Sequence, residues 1–301
     1  MVQKITRVLW VTAVIVFVVL WSIDHRDEIR DLGSNIGLIE ILLIIVVTLG
    51  GKFVVSEQGR VASDLVGHSF SSRHMFWMYS SSDIAKYIPG GIWNAVSRVK
   101  IYRDQGMSMG ASTRAFTLEK FWQVTGAFFV GVFFILPSLQ DRWEVIPEGI
   151  WSLVACYLIS GVLWIVATLA GNHFISSERD PIRAALRAFI DQTIIAVLLG
   201  LGLWIPLESI GSADLALSIG AFSIGRAAGY VAVFAPAGVG VRELVSLWVL
   251  GATVPESIAV IALGANRILT GLTDFMGFGI AAYYCRPDSS NEVEITKEHD
   301  E

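Results

Sequence analysis

Long apolar runs separated by short polar stretches dominate this chain. A helix that crosses a membrane needs about 20 mainly apolar residues at a rise of about 1.5 Å per residue. Eight segments meet or approach this length, and we predict that they are membrane spans: 8–23, 36–55, 116–136, 150–170, 188–205, 215–234, 239–250 and 258–284. The pattern therefore predicts an all-α fold, a polytopic integral membrane helix bundle.

The segment 239–250 decides the number of spans because it is the shortest apolar run. If it crosses, there are eight spans and the C-terminus lies on the same side as the N-terminus. If it re-enters, there are seven spans and the two ends lie on opposite sides. We predict eight spans in one transmembrane domain, 1–285, followed by a short acidic tail, 286–301.

Composition agrees with a membrane protein and excludes other classes. Of 301 residues, 54% are hydrophobic and only 16% are charged, whereas soluble domains carry roughly 25% charged residues. This composition argues against a soluble globule, a disordered chain and a nucleic-acid-binding protein. The net charge of −5 arises mostly in the tail, so it indicates no acidic binding face.

Basic residues predict the orientation, since loops rich in Lys and Arg face the cytoplasm. Lys4 and Arg7 precede the first predicted span, and the stretch 73–114 carries six basic residues against two acidic ones. The loops that alternate with these regions are more acidic. We therefore predict a multi-pass protein of the inner (plasma) membrane with a cytoplasmic N-terminus.

The segment 84–105 is too short and too polar to span, and it contains a helix-breaking turn at Pro89, Gly90 and Gly91. Such a turn frees backbone polar groups, which at membrane depth must face protein or a water-filled cavity. Two interpretations remain open. The segment is either a broken element inside the bundle or an amphipathic helix that rests on the membrane surface.

Charged residues lie inside several of the predicted spans. Glu119 precedes Lys120 in the third, Arg226 lies in the sixth, and the last contains Arg267 and Asp274. A charge at the bilayer centre costs roughly 3 kcal/mol on insertion scales, so such residues normally face the bundle interior. Glu119 could instead reach the head groups, whereas Arg226 requires a carboxylate or a lipid phosphate.

Small and polar residues form two helical stripes that predict close contacts. Ala221, Gly225 and Gly229 recur every four residues and would let another helix approach closely. Asn266 begins a second stripe that continues through Thr270 and Thr273 along the last span. That stripe is either part of a hydrophilic seam or polar contact between helices.

A second break follows the sixth predicted span, at Pro236, Gly238 and Gly240. If a helix begins just after it, the free N–H groups of that helix form a site for an anion. The alternative is a plain helical hairpin turn that Glu243 caps. The two breaks, near 84–105 and 235–243, resemble the broken helices of transporters.

These residues together favour an anionic, amphiphilic ligand inside the bundle. Arg98, Arg226 and Arg267 would hold its phosphate, while Glu119, Glu243 and Asp274 would neutralise these cations in the empty state or carry a coupling proton. The chain contains no nucleotide-binding loop, zinc-protease motif or serine-hydrolase motif. We therefore predict no catalytic residue, no metal site and no cofactor.

Two stretches resemble a known family. Residues 87–98, with Gly106 and the pair at Glu119, resemble the first conserved block of the lysylphosphatidylglycerol synthase/flippase transmembrane-region family. Residues 236–243 resemble its second block, a Pro-Gly-Gly-Leu-Gly-x-x-Glu turn. The resemblance covers roughly 5–285, but Ala237 replaces a glycine of the second block, and Lys120, Trp93 and Asn94 also depart from the pattern.

The resemblance implies the membrane half of such a protein, without the soluble aminoacyltransferase domain. Its implied function is to translocate an anionic lipid or a polyprenyl-phosphate-linked glycan during cell-envelope polysaccharide biosynthesis. Two alternatives belong to other classes. One is an enzyme or subunit of lipid-linked sugar synthesis, and the other is a scaffold for envelope glycosyltransferases.

Overall fold

The computed structural model describes residues 36–88, 92–141, 149–175, 181–209, 214–232, 235, 238–251 and 253–285, together with 26 and 30. Within these residues the chain is helical and has no β-strand, so the predicted all-α class is confirmed. Several predictions lie outside the described residues: the span 8–23, the tail 286–301, Pro89, Gly90, Gly91 and Pro236.

The described part of the chain contains nine α-helices, numbered here from the first one described. They are α1 Leu38–Leu65, α2 Ser72–Asp83, α3 Trp93–Asp104, α4 Met109–Asp141, α5 Ile150–Ile175, α6 Pro181–Glu208, α7 Leu215–Val231, α8 Val241–Leu250 and α9 Glu256–Tyr284. A 3-10 turn, Ile84–Tyr87, follows α2 directly.

Five helices, α1, α4, α5, α6 and α9, are long and apolar enough to cross a membrane. They contain the predicted spans 36–55, 116–136, 150–170, 188–205 and 258–284. Helix α7 has 17 residues and α8 has 10, which correspond to about 26 and 15 Å, less than the hydrocarbon core of about 30 Å. The described helices thus provide five spans by length, fewer than the eight predicted.

The distribution of side chains is inverted relative to a water-soluble protein. Apolar side chains cover the outside of the long helices, and on α5 and α9 Trp151 is 81% exposed and Ile268 is 74% exposed. Polar side chains such as Gln123 and Gln192 are fully buried. An apolar exterior around a polar interior is typical of a membrane-embedded bundle, because lipid solvates the apolar surface.

Helix α7 lies at the centre of the packing and contacts α4, α6 and α8. Its small-residue stripe faces α8, as predicted, since Ser246 donates a hydrogen bond from its Oγ to the Ala221 carbonyl at 3.0 Å. At the other end of this helical hairpin, Gly238 packs against the backbone of Gly229. The hairpin is therefore antiparallel, with a backbone-to-backbone approach that needs glycine.

We expect Gly225→Ala to lower the free energy of unfolding by about 1–3 kcal/mol, the usual cost of overpacking. An added Cβ would lie 2.1 Å from Ser246 Oγ and 2.7 Å from the Arg242 carbonyl oxygen. Thermal unfolding of the detergent-purified protein measures the effect. Gly264→Ala is the control, because a Cβ there meets nothing within 4 Å. Equal melting temperatures for the two variants would contradict the close approach.

The described part of the segment 84–105 packs against the bundle with one face. Helix α3 contacts α2 and α4, and it buries Arg98 and Tyr102 completely. The apolar Trp93 and Val96 on the same helix remain exposed. Of the two interpretations left open by the sequence, the structure favours a broken element within the protein over a helix that merely rests on the membrane.

Helix α2 was not expected, since its only apolar run, Met75 to Tyr79, is short and serines surround it. Ser71 caps its N-terminus by accepting a hydrogen bond from the His74 N–H. Met75 and Met78 are fully buried against neighbouring helices. The helix ends at Asp83, so tertiary packing of a weakly apolar segment brings a carboxylate into the bundle interior.

Candidate anion-binding site

Asp274 of α9 is the carboxylate on which three elements converge, and it is 4% exposed. Lys52 of α1 forms an ion pair with its Oδ1, and Lys86 Nζ from the 3-10 turn lies 2.8 Å from its Oδ2. The Tyr87 hydroxyl donates to the same Oδ2 at 2.5 Å. Asp274 therefore ties α1 and the 3-10 turn to α9.

Asp83, the last residue of α2, is a second carboxylate in the same region. Lys86 Nζ donates to its Oδ2 at 2.7 Å, and Asn94 Nδ2 lies 3.4 Å from its Oδ1. Burial alone would raise the pKa of Asp83, but Lys86 and Lys52 hold that pKa well below its usual range. Asp83 is therefore ionised, and Lys86 is shared between two carboxylates.

Arg226 of α7 is 8% exposed, and its hydrogen-bond partner is a neutral group. Its Nε and Nη2 donate to the Tyr230 hydroxyl at 3.2 and 3.1 Å. Lys120 of α4 lies over the same tyrosine ring, with its Nζ 5.3 Å from the ring centroid. Across the described residues, no carboxylate lies within ion-pair distance of Arg226.

Arg242 of α8 also has a neutral hydrogen-bond partner. Its Nη2 donates to Asn266 Oδ1 at 3.2 Å, and its guanidinium lies 4.3 Å from the centroid of the Phe222 ring. The positive charges of Arg267 and Arg226 and the negative charge of Glu243 all act on it. No carboxylate in the described part of the chain lies within ion-pair distance of Arg242.

Glu243 stabilises the start of α8. Its Oε2 accepts a hydrogen bond from the Gly240 N–H at 2.8 Å, and Gly240 has the positive φ of 87° that glycine tolerates. Its Oε1 lies 3.8 Å from Arg267 Nε. The predicted capping acid is therefore present, and the same side chain also pairs with Arg267.

These residues form one connected group, which we call the inner cluster. Long-range charge interactions join its members across α1, α2, α4, α7, α8, α9 and the 3-10 turn. It consists of six basic residues (Lys52, Lys86, Lys120, Arg226, Arg242, Arg267), three carboxylates (Asp83, Glu243, Asp274) and two tyrosines (Tyr87, Tyr230). Six cations against three carboxylates leave a surplus of three positive charges.

No protein-family model matches the chain, and no curated protein matches it either. Function must therefore be inferred from the inner cluster itself. Its surplus of cations suits an anion, and among the described residues no group of three or more His, Cys, Asp or Glu side chains is placed to hold a metal ion.

Arg98 and Glu119 form a separate, fully buried ion pair beside the inner cluster. Arg98 Nη1 donates to Glu119 Oε2 at 2.9 Å, and its Nε donates to Ser82 Oγ at 2.5 Å. Gln123 Nε2 donates to the other oxygen of Glu119 at 3.0 Å. Burial alone would lower the pKa of Arg98, but Glu119 outweighs that effect and raises it above its usual value.

Several members of the inner cluster remain accessible. The side chains of Lys86, Arg267 and Glu243 are each 25% exposed, and that of Lys120 is 24% exposed. Lys52 is more enclosed, with 11% of its side chain exposed. A ligand can therefore reach the cluster without unfolding the bundle, whereas it cannot reach Arg98 or Glu119 in this conformation.

The structure brings together four of the six predicted ligand residues: Arg226, Glu243, Arg267 and Asp274. It places the other two, Arg98 and Glu119, in the separate pair. Of the motif glycines, Gly240 begins α8 and Gly238 contacts α7.

Sequence reasoning missed most of the cluster's other members as candidates: Lys52, Asp83, Lys86, Tyr87, Tyr230 and Arg242. A signal existed for Lys52, because it is a basic residue within the predicted span 36–55. The signal for Arg242 was its position beside Glu243 in the second break. Asp83, Lys86 and Tyr87 lie in short polar segments whose depth in the bundle depends on packing, whereas Tyr230 lies in the apolar helix α7.

One further ion pair lies on α6. Arg187 Nε lies 3.0 Å from Asp191 Oδ1, at a spacing of four residues. Asp191 is buried while Arg187 is half exposed, which suits a salt bridge near a helix end. This pair lies outside the inner cluster.

Proposed function

We propose that this protein is a flippase-like membrane protein that binds the anionic head of a lipid, or of a polyprenyl-phosphate-linked glycan, in the inner cluster and moves it across the membrane. The observation that carries the proposal is the surplus of three positive charges among the described residues of the inner cluster, inside a bundle whose exterior is apolar. Neither Arg226 nor Arg242 has a carboxylate partner among the described residues.

The electrostatic cost of buried charge explains why a surplus of cations favours the binding of an anion. An uncompensated charge in a low-dielectric interior is costly, and it is stabilised when a counter-charge binds beside it. A phosphate supplies that charge and matches the planar donor fork of arginine. The apolar exterior of the helices suits the chains of the same lipid, which can remain in the bilayer while the head enters.

Within this proposal the residues divide into two groups. Lys120, Arg226, Arg242 and Arg267 bind the head group, and Asp274 and Glu243 hold the neighbouring cations in place when no ligand is bound. Arg98 and Glu119 act structurally, because each already has its charge partner inside the protein.

We further propose a plasma-membrane location with the N-terminus in the cytoplasm and a function in cell-envelope biogenesis. The basic stretch 73–114 supports this orientation. Lys100 and Arg103, at the C-terminal end of α3, are exposed, whereas the N-terminal half of that helix exposes apolar side chains. This arrangement suits a helix whose C-terminal end reaches cytoplasmic water.

The test is lipid translocation in reconstituted vesicles that contain fluorescent phosphatidylglycerol or a fluorescent prenyl phosphate, with fluorescent phosphatidylcholine as the zwitterionic comparison. The anionic lipids are expected to cross faster with protein than without it. Arg226→Gln and Arg242→Gln are each expected to slow this by about tenfold or more, since each removes a desolvated charge partner.

Arg103→Gln is the matched control, because it removes an exposed arginine outside the inner cluster and should leave the rate unchanged. Full rates in both cluster variants would remove these arginines from the transport site. Rates equal to those of protein-free vesicles for every anionic lipid would reject the transport function.

A further inference from the structure

We infer that the inner cluster takes a phosphate head that carries at least two negative charges, a phosphomonoester or a diphosphate, held by Lys120, Arg226 and Arg242 around the Tyr230 hydroxyl. The inference deepens the proposed function by stating the charge of the head group. It depends on that proposal only in placing the phosphate on a lipid.

Pairing the charges identifies these three residues. Asp274 pairs with Lys52, Asp83 with Lys86, and Glu243 with Arg267. Glu119 lies closest to Arg98, at 2.9 Å, whereas Lys120 is 3.5 Å from it. Each of these four carboxylates thus has another cation nearer to it, and among the described residues of the inner cluster Lys120, Arg226 and Arg242 remain as the surplus.

The same three cations lie near one tyrosine. Arg226 donates two hydrogen bonds to the Tyr230 oxygen, and Lys120 Nζ lies 5.3 Å from the centroid of the Tyr230 ring. Arg242 packs against Gly229, the residue before Tyr230, where an added Cβ would lie 3.2 Å from the Arg242 Cβ. They come from three helices, α7, α4 and α8, so their convergence is a product of the fold. In the proposed complex a single head group contacts all three.

Tyr230 contributes a donor to this position. Its oxygen accepts from Arg226, and its own O–H has no acceptor among the described residues. A phosphate oxygen is a strong acceptor and would complete the hydrogen bonding of that hydroxyl. The tyrosine therefore both spaces the cations apart and presents a hydrogen-bond donor to the ligand.

Charge matching selects the class of head group. A phosphodiester such as phosphatidylglycerol carries one negative charge and would leave two of the three cations uncompensated. A phosphomonoester carries close to two charges at neutral pH, and a terminal diphosphate carries more. Because unmatched buried charge is costly, affinity should rise with the number of negative charges on the head.

The experiment compares ligands that share one chain and differ in the head. Farnesol, farnesyl phosphate and farnesyl diphosphate are added to the full-length protein in detergent, and binding is followed by the rise in melting temperature, since a ligand stabilises the state it binds. Affinity is expected to increase in that order. A short-chain phosphatidylglycerol is expected to bind about tenfold more weakly than farnesyl diphosphate, or weaker still.

Inorganic pyrophosphate tests whether the site binds the head of a lipid or a free phosphate compound. If it binds as tightly as farnesyl diphosphate, the site recognises a free phosphate compound and the lipid assignment is overturned. Weaker binding of pyrophosphate is expected, because it lacks the chain that would lie against the apolar surface.

Two variants test the residues. Arg242→Gln and Tyr230→Phe should each weaken farnesyl diphosphate binding, by about tenfold or more and by a smaller factor respectively. Tyr230→Phe keeps the ring, so its effect reports the hydroxyl rather than folding. Arg103→Gln should bind as the unmodified protein does.

The outcomes separate this inference from the proposed function. Equal affinity for phosphatidylglycerol and farnesyl diphosphate would overturn the inference and leave translocation of anionic lipids standing. Tight, charge-selective binding without translocation in vesicles would support the inference and reject transport. If no phosphate ligand binds, or if both variants bind unchanged, the assignment of these residues is overturned.

Discussion

Removing either member of the Arg98–Glu119 pair is expected to lower the free energy of unfolding by about 3–5 kcal/mol, because the remaining charge would be buried without its partner. Both side chains are 0% exposed, so water cannot compensate for the loss. The variants are Arg98→Ala and Glu119→Ala. Chemical or thermal unfolding of the detergent-purified protein measures the effect.

Two further variants make this prediction specific. Asp64→Asn removes the carboxylate that Arg60 contacts at 3.1 Å, in a pair whose side chains are 29% and 27% exposed, and should cost no more than about 1 kcal/mol. The double variant Arg98→Met with Glu119→Leu removes both charges of the pair, so it should be more stable than either single variant. Equal losses for Arg98→Ala and Asp64→Asn would show that the pair is not the buried interaction described here.

The second large effect is expected from Asp274→Asn. This change leaves Lys52 and Lys86 to share Asp83, so the surplus of the inner cluster rises from three positive charges to four. We expect a loss of about 3–5 kcal/mol in stability, as for breaking any buried ion pair. Unfolding in detergent is the first measurement, and lipid translocation in vesicles is the second.

A matched control lies on the same helix. Glu256→Gln removes an exposed carboxylate in the first turn of α9 and should cost less than about 1 kcal/mol. Adding Lys52→Met to Asp274→Asn removes the cation left without its partner and should restore part of the lost stability. If this double variant is less stable than Asp274→Asn alone, Lys52 is not held by Asp274.

The charged residues inside predicted spans were the most informative part of the sequence. Arg226, Arg267 and Asp274 were expected in the interior because a charge in lipid is costly, and all three lie in the inner cluster. The same reasoning applied to Glu119, which is fully buried. It could not tell that Glu119 meets Arg98, because their contact depends on how α3 packs against α4.

Segments without a strong apolar pattern were predicted less well. Helix α2 is rich in serine, and residues 84–105 left two interpretations open, yet together they supply Asp83, Lys86 and Tyr87 to the inner cluster. A short polar segment has no hydrophobic period from which its depth in the bundle can be predicted. Its burial depends on the helices that pack around it. Arg242 was missed for the same reason, since a residue at a helix start can face either solvent or its neighbours.

The sequence by itself determined the all-α class, the five long apolar helices and the need to enclose charged groups, because these follow from local hydropathy and from the cost of charge in lipid. The tertiary structure decided which charges meet. It buried the Arg98–Glu119 pair beside the inner cluster, and it brought Lys120, Arg226 and Arg242 from three helices into the region of one tyrosine. The physical reason is that the surplus of charge arises only where side chains from several helices come together, so the sequence of any single helix does not reveal it.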